Sequence, residues 1–180
     1  MSERDFTATG GETMYEGRIV TVRIERFRFA DGEEVSREIV RHPGAVGIVA
    51  HDEEHVWLVR QPRETVGDPD VLEIPAGKLD LPGKTPLQVA QVELAEEIGK
   101  AADDWESLGW FWSSVGISDE VVHLFLARGL RDAPAQAQDN ERIEVVTWPL
   151  ARLDELIAEV RDAKTRIGLL ELRHRRACGR

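Results

Sequence analysis

From Tyr15 to Phe29 apolar and charged residues alternate through GRIVTVRIERFRF, the period-two pattern of a half-exposed strand. ADGEE (30–34) reads as a turn and VSREIVRH as a strand returning from it, so the pair predicts a hairpin. GAVGIVA (44–50) is a nearly continuous apolar run, which predicts a more buried strand. HDEEH (51–55) is a charged turn, VWLVRQPR (56–63) returns from it, and VLEIPAG (71–77) is a short strand ending in Pro-Ala-Gly. A helix follows with strong punctuation. Thr85 caps it, Pro86 fits its first turn, Gln88 completes a capping box and Gly99 stops it. Leu87, Ala90, Leu94 and Ile98 share its apolar face. WESLGWFWSS and VVHLFLARGL predict two more strands, APAQAQDNE (133–141) a polar loop and IEVVTWPL (143–150) a final strand. ARLDELIAEVRDAKTRIGLLELRHRR predicts one or two amphipathic helices with a basic end, and residues 1–13 read as disordered. There is no internal repeat. The order of strands, helix, strands, helix predicts a mixed α/β or α+β fold.

Composition narrows the class. With 180 residues, 42% of them hydrophobic, the chain suits one domain with a real core. The net charge of -11 is the wrong sign for a sequence-independent nucleic-acid binder. Cys178, the single cysteine, excludes an internal disulfide framework and a cysteine metal cluster, and fits a reducing cytosol. The polar start MSERDFTATGGE carries no apolar h-region, and no run approaches the roughly 20 apolar residues of a membrane span. The expectation is a cytoplasmic protein with neither a nucleic-acid nor a membrane partner.

The unusual chemistry lies in QVELAEEIGK (91–100), where Glu93, Glu96 and Glu97 crowd one short stretch. On a helix Glu93 and Glu97 lie about 40° apart, with Glu96 on the same side. Such pairs destabilise a helix by roughly 0.2–0.5 kcal/mol each. Glu96 and Glu97 also sit near the C-terminal end, where the helix dipole disfavours negative charge. A solvated acidic face would lie opposite the apolar stripe, whereas Glu97 lies beside it. Carboxylates placed so repel one another unless a cation joins them. Oxygen ligands suit Mg²⁺ or Mn²⁺. The glycines of PAG and LPGK, just before the helix, allow close backbone approach to a ligand.

Here the sequence resembles a known family. GKLDLPGKTPLQVAQVELAEEIG (77–99) is similar to a Nudix box, matching at Gly77, Glu93, Leu94, Glu96, Glu97 and Gly99. YEGRIVTVRIE, REIVRHPGAV, LVRQPRE, LEIPAGKLD, SVGISDEVVHLFLA and DAKTRIGLL resemble the ADP-ribose pyrophosphatase branch, and the likeness covers about residues 15 to 172. The resemblance implies an α/β/α sandwich around a mixed sheet (44–180), with an antiparallel N-terminal strand segment (14–43) through which homodimers form. It implies Mg²⁺-dependent hydrolysis of ADP-ribose, or a related nucleoside diphosphate sugar, to AMP and a sugar phosphate, with Mn²⁺ the alternative ion. By the same likeness Glu93, Glu97, Glu96 and the carbonyl of Ala76 form the metal set. Glu96 also counts among the catalytic residues. Glu141 orients the attacking water, with Asp139 and Glu120 as rivals. Arg37 and Arg63 contact the diphosphate or ribose, Glu120 is grouped with them as substrate-binding, and Trp110 and Trp112 offer faces for a base.

The box departs from the family pattern twice. Lys84 stands where a loop glutamate is expected, and Val92 where an arginine orients the metal-binding glutamates. The expected consequence is metal binding of lower affinity or slower turnover. Val115 also stands where the branch often has proline. The alternative reading is a Nudix-fold sensor that binds a nucleotide and cleaves it weakly or not at all.

Overall fold

The computed structural model describes residues 2–133 and 142–179. The chain divides into two compact units, residues 1–44 with 112–121, and residues 45–111 with 122–180.

The first unit is a three-stranded antiparallel sheet of β1 (Phe6–Glu16), β2 (Thr21–Phe29) and β3 (Glu34–Arg41), in that spatial order. The predicted hairpin is β2–β3, in register from Thr21 opposite Arg41 to Arg28 opposite Glu34. The alternation that runs from Tyr15 to Phe29 is broken at Gly17–Val20, where the chain turns. β1 covers most of the stretch whose composition suggests disorder. Every residue of β1 is exposed, so no apolar alternation betrays it. It is held by its ladder to β2 and by the Phe6 ring, which meets Phe27 and Phe29 edge-on. Residues 112–121 join this unit through Val40, whose N–H donates to the Ile117 carbonyl and whose carbonyl accepts from Asp119.

The second unit is a mixed sheet with helices on both faces. Its strands are β4 (Ala45–His51), β5 (His55–Arg63), β6 (Asp68–Glu73), β7 (Ala76–Lys78), β8 (Lys100–Trp112), β9 (Val121–Asp132) and β10 (Glu144–Pro149). The order is β10-β5-β4-β9-β8, with β6 on β5 and β7 on β4. β4 and β9 run parallel, while β5 is antiparallel to β4, β6 and β10. The helices are α1 (Pro86–Ile98), α2 (Leu153–Glu159) and α3 (Ala163–Ala177).

The continuous apolar run of β4 follows from two covered faces. Val46, Ile48 and Ala50 pack toward α1 with Val59, Phe125 and Ala127. Val49 points the other way, to a core built with Leu58, Ile74, Leu124 and Leu126 against α2 and α3. This is the α/β/α sandwich that the sequence led us to expect. The C-terminal text forms two helices, parted at Val160–Arg161 and restarted by Asp162, which caps α3 by accepting from Thr165 N–H. Among the described residues no helix is long and apolar enough to cross a membrane.

Gly168 lets α3 approach β4. A Cβ there would lie 2.6 Å from Val49 Cγ2, well inside contact distance. Alanine is the better helix former by about 0.8–1.0 kcal/mol. Gly168→Ala should nonetheless destabilise the protein, by about 1–3 kcal/mol, because overpacking outweighs propensity. Urea denaturation measures it, and an unchanged or raised midpoint would contradict this packing.

Candidate active site

The sequence ends α1 as expected. Thr85 and Gln88 form a reciprocal capping box, Pro86 opens the helix, and Gly99 closes it at φ 65°. Its buried residues are Val89, Ala90, Leu94 and Ile98, so Val89 is buried where the apolar stripe has Leu87. The difference matters. On the wheel Glu93 lies roughly 40° from Val89, and Glu97 roughly 20° from Ala90. The two carboxylates therefore fall within the arc that faces the sheet, flanked by buried side chains on both sides.

What they meet there is backbone. Three residues after Glu73 ends β6, the chain re-enters the sheet as β7, with Ala76 opposite Gly47 and Gly77 opposite Val46. The Ala76 N–H donates to Glu97 Oε2 at 2.9 Å. At Gly77 a Cβ would fall 1.9 Å from Glu93 Oε1, so the Glu93 carboxylate occupies the space a side chain would fill. Ala76, Gly77, Glu93 and Glu97 thus converge, although they are up to 21 positions apart.

Glu96 lies roughly 60° from Glu93 and 100° from Glu97 on the wheel. It lines a groove of about 420 Å³ with Lys84, Gln91, Val92 and Ala133. Both departures from the box, Lys84 and Val92, therefore share the Glu96 side of α1. Among the described residues no three acidic, histidine or cysteine side chains are grouped closely enough to cage a metal ion. A two-carboxylate site lined by backbone still fits a small hard cation, because Mg²⁺ is commonly held by one or two carboxylates plus substrate phosphates and waters.

Behind the Ala76 turn lies a charge network that the sequence did not single out. Glu73 is only 2% exposed. Arg63 clamps it with two donors, Nε to Oε1 at 2.5 Å and Nη2 to Oε2 at 2.9 Å, and Lys164 Nζ donates to Oε2 as well. Burial works against the charge on Glu73, but the Arg63 hydrogen bonds and the nearby Lys164 ammonium outweigh it and hold the carboxyl below its ordinary range. Asp162 behaves alike: burial opposes its charge, and Lys164 and Thr165 overcome it. The Glu73 hydrogen bonds hold Arg63 firmly protonated, and the Glu97 charge adds to this. One sequence signal was available, a lone acid inside the apolar run VLEIP.

Arg63, expected at the substrate, thus has two donors committed to Glu73, and its side chain remains 40% exposed. Arg37 and Glu120 belong to the other unit. Arg37 Nη1 donates to the Ser36 carbonyl, and its side chain lines an apolar groove of about 400 Å³ with Phe6, Phe27, Phe29 and Ile117. Glu120 Oε1 lies 3.3 Å from His42 Nδ1, which also accepts from Gly44 N–H. Trp110 and Trp112 are half exposed, at 54% and 53%. Glu141 and Asp139 lie outside the described residues.

Comparison with known proteins shows the family. The family model for the NUDIX domain matches residues 41–170. An ADP-ribose pyrophosphatase of Mycobacterium tuberculosis is 38% identical over 154 residues, covering 84% of this chain and 74% of that one. A methanol dehydrogenase activator of Bacillus methanolicus is 35% identical, covering 88% and 87%. A crystal structure of an ADP compounds hydrolase shares the fold at TM-score 0.86 and 24% identity, over 100% of this chain and 99% of that one. Nudix hydrolases generally use divalent metal ions, and the chain belongs to this family as a Nudix hydrolase resembling its ADP-ribose pyrophosphatases.

Proposed function

We propose that this enzyme hydrolyses the diphosphate of ADP-ribose, or of a related nucleoside diphosphate sugar, to AMP and a sugar phosphate, with Mg²⁺ as its ion and Mn²⁺ as a substitute. The observation that carries the reading is the convergence of Glu93 and Glu97 on the Ala76–Gly77 turn. The pyrophosphatase relative supports the choice of substrate. We further propose that the enzyme is a cytoplasmic homodimer joined through residues 14–43.

When bound, a divalent ion neutralises diphosphate charge and lowers the pKa of water. The chain's own groups do the rest. Glu93 and Glu97 present oxygens on one side of α1, and the Ala76 carbonyl joins them. Glu97 is oriented by the Ala76 N–H, so the arginine that Val92 replaces is not needed for that duty. This supports a working enzyme over a sensor. Glu96, which also lines the groove, would complete the ligand set. Lys84 beside it offers a positive charge to a phosphate oxygen. Glu141 takes the proton of the attacking water, and Arg63 contacts the diphosphate with the part of its guanidinium that is exposed.

Purified protein with ADP-ribose should release AMP only when Mg²⁺ or Mn²⁺ is added. Glu97→Gln should lower turnover by about a hundredfold or more. Absence of cleavage across a panel of nucleoside diphosphate compounds would contradict the proposal. Gly77→Ala gives a second check. Its φ is not in the left-handed region, so the backbone accepts alanine, but the new Cβ must displace Glu93. A misplacement of about 1 Å can cost about a hundredfold in rate. The variant should keep its circular dichroism spectrum and lose activity on that scale. Full activity in Gly77→Ala would contradict the role of Glu93.

A further inference from the structure

The segment Glu73–Ile74–Pro75–Ala76 delivers the amide that orients Glu97, and its Ile74 N–H and Pro75 carbonyl are secured from outside the box. The Ile74 N–H donates to Thr165 Oγ1 at 2.9 Å, the Pro75 carbonyl accepts from Ile48 N–H at 2.8 Å, and the Ala76 N–H meets Glu97. Proline has no N–H of its own. The two backbone donors of residues 74–76 are therefore both spoken for, one by α3 and one by the carboxylate. The Glu73 side chain is tied to α3 too, through Lys164.

The first turn of α3 is itself built as a hub. Asp162 Oδ2 accepts from Thr165 N at 2.9 Å, from Thr165 Oγ1 at 2.6 Å and from Lys164 Nζ at 3.0 Å. Since the Thr165 hydroxyl proton goes to Asp162, its oxygen is left to accept from Ile74, and this is the acceptor the buried amide needs. Thr165 is completely buried. The helix cap, the buried threonine and the lysine thus form one connected network that ends two residues before Ala76. The bond to Ile74 satisfies a buried amide and at the same time fixes the backbone next to Ala76.

We propose that Lys164 and Thr165 are positioning residues for the Glu97 carboxylate. They fix residues 73–76 so that the Ala76 N–H stands where Glu97 must be held for a cation. This rests on the reading of Glu93 and Glu97 as the cation site.

Two readouts test it without turnover. The first is amide hydrogen exchange at Ala76 in the metal-free chain, compared with a core amide such as Leu94. The second is the Mn²⁺ dissociation constant from the electron paramagnetic resonance signal. In Thr165→Val, which keeps the shape and removes the hydroxyl, and in Lys164→Met, Ala76 should lose protection by at least about tenfold beyond Leu94. Mn²⁺ should bind about tenfold more weakly, the scale seen when partners of metal ligands are removed. Lys164→Arg, which keeps the charge, should restore most of the binding. Ala76 protection that falls only in step with Leu94, or an unchanged Mn²⁺ constant, would overturn the proposal. A wild-type chain that binds Mn²⁺ but leaves ADP-ribose intact would instead refute the proposed substrate, and the exchange and Mn²⁺ comparisons would still decide the role of Lys164 and Thr165.

Discussion

The proposed cation site is organised around a hydrogen bond from the Ala76 N–H to Glu97 Oε2. A hydrogen bond to a charged group contributes about 1.5–3 kcal/mol. That is several times the roughly 0.2–0.5 kcal/mol by which Glu93 and Glu97 repel each other at their helical spacing. A carboxylate has about four lone-pair sites, so one N–H can orient it while leaving capacity for a cation. At Val92, where the resemblance leads one to expect an arginine, the main-chain N–H of Ala76 still meets Glu97.

A main-chain donor is only as well placed as the chain that carries it. Residues 73–76 are anchored by a carboxylate buried to 2% exposure, a position that costs several kcal/mol for an ion without partners. Glu73 has two cationic partners from different elements, Arg63 on β5 and Lys164 on α3. Loss of either would leave charge poorly compensated in the interior. The same Arg63 holds Glu73 and lies in the field of Glu97, so the anchor and the site share one cation.

How much of this was legible in the sequence follows from how local each interaction is. The ends of α1 were legible because Thr85, Pro86, Gln88 and Gly99 act within one turn of themselves. The buried strands were legible because β4 and β9 are covered on both faces. β1 was not, because it is exposed throughout and held by pairing to β2. That Glu93, Glu96 and Glu97 crowd one stretch was legible, but what each meets was not. Glu97 meets the Ala76 N–H and Glu93 fills the space beside Gly77, while Glu96 lines the groove with Lys84. The network behind them was least legible: Glu73 meets Arg63 across 10 positions and Lys164 across 91, and no periodicity reports such pairs.

We propose that a divalent ion is held where the Ala76–Gly77 turn meets Glu93 and Glu97. Anomalous scattering from crystals soaked in Mn²⁺ with a non-hydrolysable ADP-ribose analogue tests it directly. The account predicts a peak about 2.0–2.3 Å from carboxylate oxygens of both Glu93 and Glu97, the range for small hard cations. A peak confined to the Glu96 and Lys84 side of α1, with none at Glu93 and Glu97, would contradict it.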